Sequence, residues 1–438
     1  MDKVESAVGT TQIVTTAPHQ TPNHREVTRT FRLDMLAAAL YSAFSVATVS
    51  FPAVLIRKEG AADWIVSLVI AAPSIGQFST LFWSRFTQRG PKMRVMTWGG
   101  GAARLSLLLL VFAFHPFVFA MIMVLCNILE FSKAPAYASI MQQVYPAQRR
   151  GELMGKVRVA ASIATIIAST VIGLALEAHS YRLVFPIAGL FGLASILVFS
   201  RVRYRDVPST RPPTSFRTLV MIPRTDKRYG SFLWSVFLMG FFNLLGAAVF
   251  PLVMVDDLHI SNGFLGIINA TQSLTAVIFY FICGSYSDRH HPIKLIYLTF
   301  LVGTVAIFVY MVAGTGWLLI PTAILAGIGI ASGDLGAINS AIRFPQDPRD
   351  IPHYMALYST LVGVRGIIAP FLAILLLTFV GDRGVLLIAL IGVSLSCLNF
   401  YRVQKTILAD PYFADPPAAI PVIATPKRHL LAVLTRRP

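Results

Sequence analysis

Long apolar runs broken by short, mostly basic turns set the pattern of the chain. Twelve such runs lie at roughly 34–56, 63–84, 93–114, 116–138, 153–176, 181–200, 230–254, 263–285, 293–313, 316–340, 353–379 and 383–403. Each is close to the ~20 apolar residues that a helix rising ~1.5 Å per residue needs to cross a bilayer. The pattern predicts an all-α polytopic membrane protein with twelve transmembrane helices. Six runs precede a break at Arg201–Arg228 that is rich in arginine and proline, and six follow it. The expected organisation is a disordered cytoplasmic tail at 1–30, a six-helix half at 31–200, a basic cytoplasmic linker at 201–229, a second six-helix half at 230–405 and a disordered cytoplasmic tail at 406–438.

The two halves repeat one set of landmarks. Phe51-Pro52 near the end of the first run answers Phe250-Pro251 near the end of the seventh, and Tyr145-Pro146 before the fifth answers Phe344-Pro345 before the eleventh. A polar turn between the second and third runs, Trp83–Lys92, has its counterpart in Gly284–Lys294 between the eighth and ninth. Parallel repeats of six spans place a solute path between the halves, opened alternately to each side by rocking.

Composition agrees with a bilayer environment. Of 438 residues 55% are hydrophobic and 13% charged, with a mean hydropathy of +0.67, where soluble domains carry about a quarter charged residues. The net charge of +17 is mostly topological. Arg85, Arg89, Lys92, Arg94, Arg149, Arg150, the linker, Arg289, Lys294, Arg343 and Arg349 all fall on one side, the side that also holds both termini. Basic loops are retained in the cytoplasm, so both termini are expected inside, in a bacterial inner membrane, and a nucleic-acid partner is not expected. Cys126, Cys283 and Cys397 fall inside apolar runs and suit neither a disulfide framework nor a metal site. No cofactor, metal or enzymatic constellation is expected, and a monomer in the lipid bilayer is.

Gly284, Asp288, Arg289 and Lys294 carry the resemblance to a known family. They are similar to the signature loop between spans 8 and 9 of the major facilitator superfamily of secondary transporters, and Pro146–Gly155 is similar to its loop between spans 4 and 5. Over roughly residues 30–405 the chain therefore resembles that family in its 6+6 fold. The first-half copy of the signature is degraded, with Trp83 and Thr87 at its glycine and aspartate positions. The resemblance implies a cytoplasmic latch of Gly284, Asp288 and Arg289 with Arg150 and Gly151, holding one access state. It also implies that spans 1, 4, 7 and 10 line the path and spans 2, 5, 8 and 11 flank it. The arginine that proton-coupled members often carry on span 4 is absent, as is the Gly-Pro motif of drug/proton antiporters on span 5, so drug efflux is not the expected activity.

Charges inside a span cost ~2.5–3.5 kcal/mol at a helix centre even on a lenient scale, so the few present are candidate site residues. Glu130 and Lys133 on span 4 share a helix face and can pair. Asp334 on span 10 would face the path, and Arg158 on span 5 and Arg365 on span 11 would flank it. Arg104 on span 3 reads as a structural arginine packed against its neighbours. Tyr41, Gln77, Asn127, Asn243, Asn269 and Gln272 could orient a polar solute or bind helices together. The positive excess among the intramembrane charges points to an anionic or zwitterionic small-molecule substrate. Proton coupling through Glu130 or Asp334 is a further expectation. A non-transporting membrane scaffold or receptor is the alternative.

Overall fold

The computed structural model describes residues 24–89, 91–146, 149–204, 216–341, 343–345, 350–410 and 413. The expected tails at 1–23 and 414–438 and residues 205–215 of the linker lie outside the described residues. Helices α1 His24–Val49, α2 Pro52–Lys58, α3 Asp63–Arg89, α4 Lys92–Leu108, α5 Pro116–Glu130, α6 Lys133–Val144, α7 Arg150–Ala178 and α8 Tyr181–Phe199 build the first half. After a short helix, α9 Phe216–Thr225, the second half holds α10 Lys227–Ala247, α11 Phe250–Leu252, α12 Asn262–Arg289, α13 Ile293–Met311 and α14 Leu319–Ala341. The helical stretch Ile351–Leu408 is broken at Gly381 (φ 69, ψ 175) into α15, 351–380, and α16, 382–408. That backbone conformation is open to glycine and strained for any side chain.

Nine of the described helices are long and apolar enough to span a membrane by length and composition. Twelve passages result because Gly381 divides the longest of the nine, α3 makes another, and α5 and α6 together make the last. The split between α5 and α6 corrects the single helix expected over 116–138. Pro135 has no N–H to give the carbonyl of Phe131, and the chain steps through tighter bonds from Ser132 N to Leu129 O (3.2 Å) and Ala134 N to Phe131 O (3.3 Å).

The repeated Phe-Pro pairs mark the same event in both halves. Pro52 and Pro251 sit in the first turn of a new short helix, where a missing N–H costs nothing. In the second half a π-helical turn follows at Val253–Asp257, closed by Leu258 N to Val253 O at 3.0 Å. The turns at the opposite end are shorter than the sequence pattern suggests. Helix α12 runs through Asp288 to Arg289, leaving His290–Pro292 rather than Gly284–Lys294 as the connection. The nitrogen Nδ1 of His291 accepts from Ile293 N at 3.2 Å and caps α13. Burial, with Arg343 and Lys294 nearby, pushes its ring down to about 4.

Within the first half α1 packs on α7 and α8, α3 on α5, and α4 on α5 and α8; the second half repeats the scheme with α10 on α15, α12 on α14, and α13 on α14 and α16. The halves meet along two seams, α7 against α12 and α3 against α15. Both seams are built on glycine. A Cβ on Gly266 would lie 2.6 Å from the Ser169 carbonyl and one on Gly173 2.7 Å from that of Asn262, while Gly363 backs onto Phe78 and Gly366 onto Ser74. Such close approach is how helices associate where lipid supplies no hydrophobic drive. The perimeter is apolar, with Trp98, Phe379 and Trp317 more than 70% exposed; this surface suits acyl chains and not water.

Candidate functional site

The interior of the first half is filled by charge. The guanidinium of Arg104, fully buried on α4, binds the Gly100 carbonyl at 2.6 Å through Nη1 and the Glu130 carboxylate through the same nitrogen. Lys133 closes on the other oxygen of Glu130. Aromatic faces complete the enclosure: Lys133 Nζ stands 3.6 Å above the Tyr41 ring, and Arg104 Cζ 4.5 Å from the Phe44 centroid. Glu130, expected to face the path, is thus locked between two cations within its own half. Asn127 is buried and donates to the Met123 carbonyl of its own helix at 2.9 Å.

The second half is hollow at the corresponding depth. A cavity of about 450 Å³ is lined by residues of α10 to α15 that include Asn243, Gln272 and Arg365, and an adjoining one of about 280 Å³ shares Arg365 and adds Asp334 and Tyr358. Arg365 rests flat against Gly240, where any side chain would collide with the guanidinium. Its Nη1 donates to the Val236 carbonyl at 2.5 Å and its Nε is buried without a partner. Among the described residues Arg365 has no carboxylate partner. Asp334 is exposed and accepts from the Tyr280 hydroxyl at 2.5 Å.

Arg158 stands exposed on α7, its charge within reach of Tyr137 in its own half and of Tyr280 in the other. Beside Tyr137 lies a group that the sequence pattern missed. Asp34 is 2% exposed and accepts from the hydroxyls of Tyr145 (2.9 Å) and Tyr137 (3.3 Å). It lay at the expected border of the first span, but α1 begins at His24 and carries Asp34 well inside. A usable signal existed in the repeat: Tyr145 has its hydroxyl where Phe344 has none. Gln77 and Asn269 lie on α3 and α12 away from either cavity lining, and the Nδ2 of Asn269 is buried without a partner. Gly284 has open space around it. The side chains of Asp288, Arg289, Arg150 and Gly151, the rest of the expected latch, lie outside the described residues.

At the end away from the termini the halves are bonded together. Arg57 on α2 holds Asp256 of the π-helical turn through Nη2 at 2.5 Å and Nε at 2.9 Å, and holds Asp63 through Nη1 at 2.7 Å. Lys58 donates to Asn262 at 2.9 Å, Gly263 N to Glu177 at 2.9 Å, Asn262 to the Leu176 carbonyl at 3.0 Å, and Ser67 to the Pro370 carbonyl at 3.1 Å. The neighbouring carboxylates, Asp256 above all, hold Arg57 above the usual arginine range. Arg57, Lys58, Glu177 and Asp256 lie at span ends and are not among the residues that the sequence pattern singles out.

A model of the Major Facilitator Superfamily matches residues 33–250 and again 231–437. No curated protein sequence matches the chain. Among solved structures the fold is similar to the nucleoside transporter NupG (TM-score 0.69, 12% identity, 86% of this chain and 99% of that one). It is similar also to a POT family transporter in complex with a thioalcohol-conjugated peptide (TM-score 0.69, 10% identity, 87% and 96%). A third likeness is the POT family transporter PepTSo (TM-score 0.68, 11% identity, 88% and 99%). At these identities the likeness is one of fold.

The charged core of the first half yields a stability prediction. Glu130→Gln leaves Arg104 and Lys133 facing each other with no counter-charge, an arrangement that costs on the order of 3–5 kcal/mol when a buried pair is broken. Lys133→Met leaves Glu130 neutralised by Arg104. Thermal unfolding in detergent should therefore show a larger drop in midpoint for Glu130→Gln than for Lys133→Met; equal drops would contradict the buried network.

Proposed function

The chain belongs to the Major Facilitator Superfamily, and from that membership we propose that it is a secondary transporter moving a small solute across a membrane by alternating access. The observation that carries the reading is where the halves are joined. The polar bonds between halves described above cluster at the end away from the termini, and the charges Arg158 and Asp334 stand exposed toward the other end. Two half-bundles hinged on glycine seams and pinned at one end are suited to rocking. The basic loops put the end bearing the termini in the cytoplasm, so this conformation is the inward-facing one, in a bacterial inner membrane. Each half completes its own bundle, which suits a monomer.

Proton coupling falls to Asp334. A coupling carboxylate needs a route to water, and Asp334 has one, whereas Glu130 is enclosed between Arg104 and Lys133. The latch of Gly284, Asp288 and Arg289 with Arg150 and Gly151 is kept as the element that closes the cytoplasmic end. A non-transporting scaffold would have no use for the hollow around Arg365.

Two measurements in proteoliposomes test the reading. Cysteines at positions 58 and 262, placed in a background without the three native cysteines, should crosslink and stop uptake of the solute until a reductant is added; uptake that survives crosslinking sinks alternating access. Asp334→Asn should remove the response of uptake to an imposed pH gradient while Glu130→Gln keeps it. Gradient dependence unchanged in Asp334→Asn would rule out coupling at that residue.

A further inference from the structure

Phe51-Pro52 and Phe250-Pro251 lie 199 residues apart, and so do Tyr145-Pro146 and Phe344-Pro345. The same offset carries Tyr41, Phe44, Arg104, Glu130 and Lys133 onto Gly240, Asn243, Gly303, Gly329 and Ser332. The first set is the charged and aromatic filling of one half. In the second set, Gly240, Asn243, Gly303 and Gly329 line the 450 Å³ cavity of the other half. Five large residues that touch one another in the first half have thus become three glycines, a serine and an asparagine, and the volume they gave up is the cavity. One contact is kept in both halves: Gly303 faces Asn243 as Arg104 faces Phe44.

Into this hollow α15 sends one cation. Among the described residues that line the larger cavity Arg365 alone is charged, and its Nε is buried without a partner. Asn243 and Gln272 line the cavity too and make no side-chain hydrogen bond to another described residue. The threonines and tyrosine of the lining are satisfied within the protein: Thr299 by the Leu295 carbonyl, Thr322 by that of Leu319 and Tyr310 by that of Phe250. The remaining wall is apolar. A buried guanidinium with unused donors is unstable without an anion, and a cavity of this size is within the range of small-molecule sites, about 300–1,000 Å³.

We propose that the second half holds a solute pocket of its own, in which Arg365 binds the carboxylate or phosphate of a small anion while Asn243 and Gln272 hydrogen-bond its polar edge. The pocket deepens the transporter reading by naming the substrate class, and it rests on that reading only for the solute's fate. Binding is a property of the half-bundle. The repeat has divided the labour, the first half being a charge-filled strut and the second the binding half.

The test is binding to the purified chain in lipid nanodiscs, with benzoate and phenyl phosphate as anionic probes and benzamide as the neutral counterpart. Wild type should bind at least one anion saturably and benzamide at least tenfold more weakly; the preferred anion separates a carboxylate site from a phosphate site. Arg365→Gln should lose the binding and Arg365→Lys recover part of it. Gly329→Leu should fill the pocket and abolish binding while the chain still folds, since a Cβ there meets only Val302 at 3.5 Å. Binding of neither anion, equal binding of benzamide, or binding unaffected by Arg365→Gln or by Gly329→Leu overturns the pocket. Anion binding without any uptake into proteoliposomes would leave the pocket standing and remove the transporter reading instead.

Discussion

A charge inside a bilayer must be neutralised, hydrogen-bonded or brought to water, and this constraint orders the interior of the molecule. The first half meets it by closure: Arg104 and Lys133 share the carboxylate of Glu130 and lie against two aromatic rings whose faces attract the remaining positive charge. Asp34 is hydrogen-bonded by two tyrosine hydroxyls. The second half meets it by opening, with Asp334 exposed and Arg365 set beside a cavity. One fold repeated twice therefore has two different interiors, and a handful of side-chain sizes distinguishes them.

The seams between the halves obey a related rule. Lipid tails solvate apolar side chains as well as a neighbouring helix does, so helix pairing there depends on close backbone approach and polar contacts. Gly173 and Gly266 supply the approach on one seam and Gly363 and Gly366 on the other, while Arg57, Lys58 and Glu177 supply the polar contacts at one end. Glycine seams hold the halves in contact without interlocking them. The ion pairs at one end are partly exposed, with Arg57 at 23% and Asp256 at 42% side-chain exposure, so each contributes modestly and can be exchanged for water. A closed end built this way can open.

Much of this was legible in the sequence. Twelve apolar runs, the break after Arg201 and the paired Phe-Pro landmarks specify the two-half fold, because span length and the placement of proline are dictated by local physics. The Glu130–Lys133 contact follows from helical spacing. What the sequence hid was long-range. Nothing in the local pattern says that Arg104 reaches Glu130 on another helix, or that α1 starts early enough to bury Asp34. The cavity around Arg365 was hidden for a different reason: it depends on glycines on three helices that mean little individually and become informative only when set against their partners in the first half.

The central claim is that the two halves move as bodies about these seams. Spin labels at positions 59 and 259 report the end now closed, and labels at 156 and 294 report the other; all four native residues are exposed. Pulsed electron–electron distance measurements in lipid nanodiscs should show two populations, one short at 59/259 and long at 156/294, the other reversed, with their proportions shifting in opposite senses when Arg57 is replaced by alanine. A single distance at each pair, unmoved by that substitution, would contradict the account.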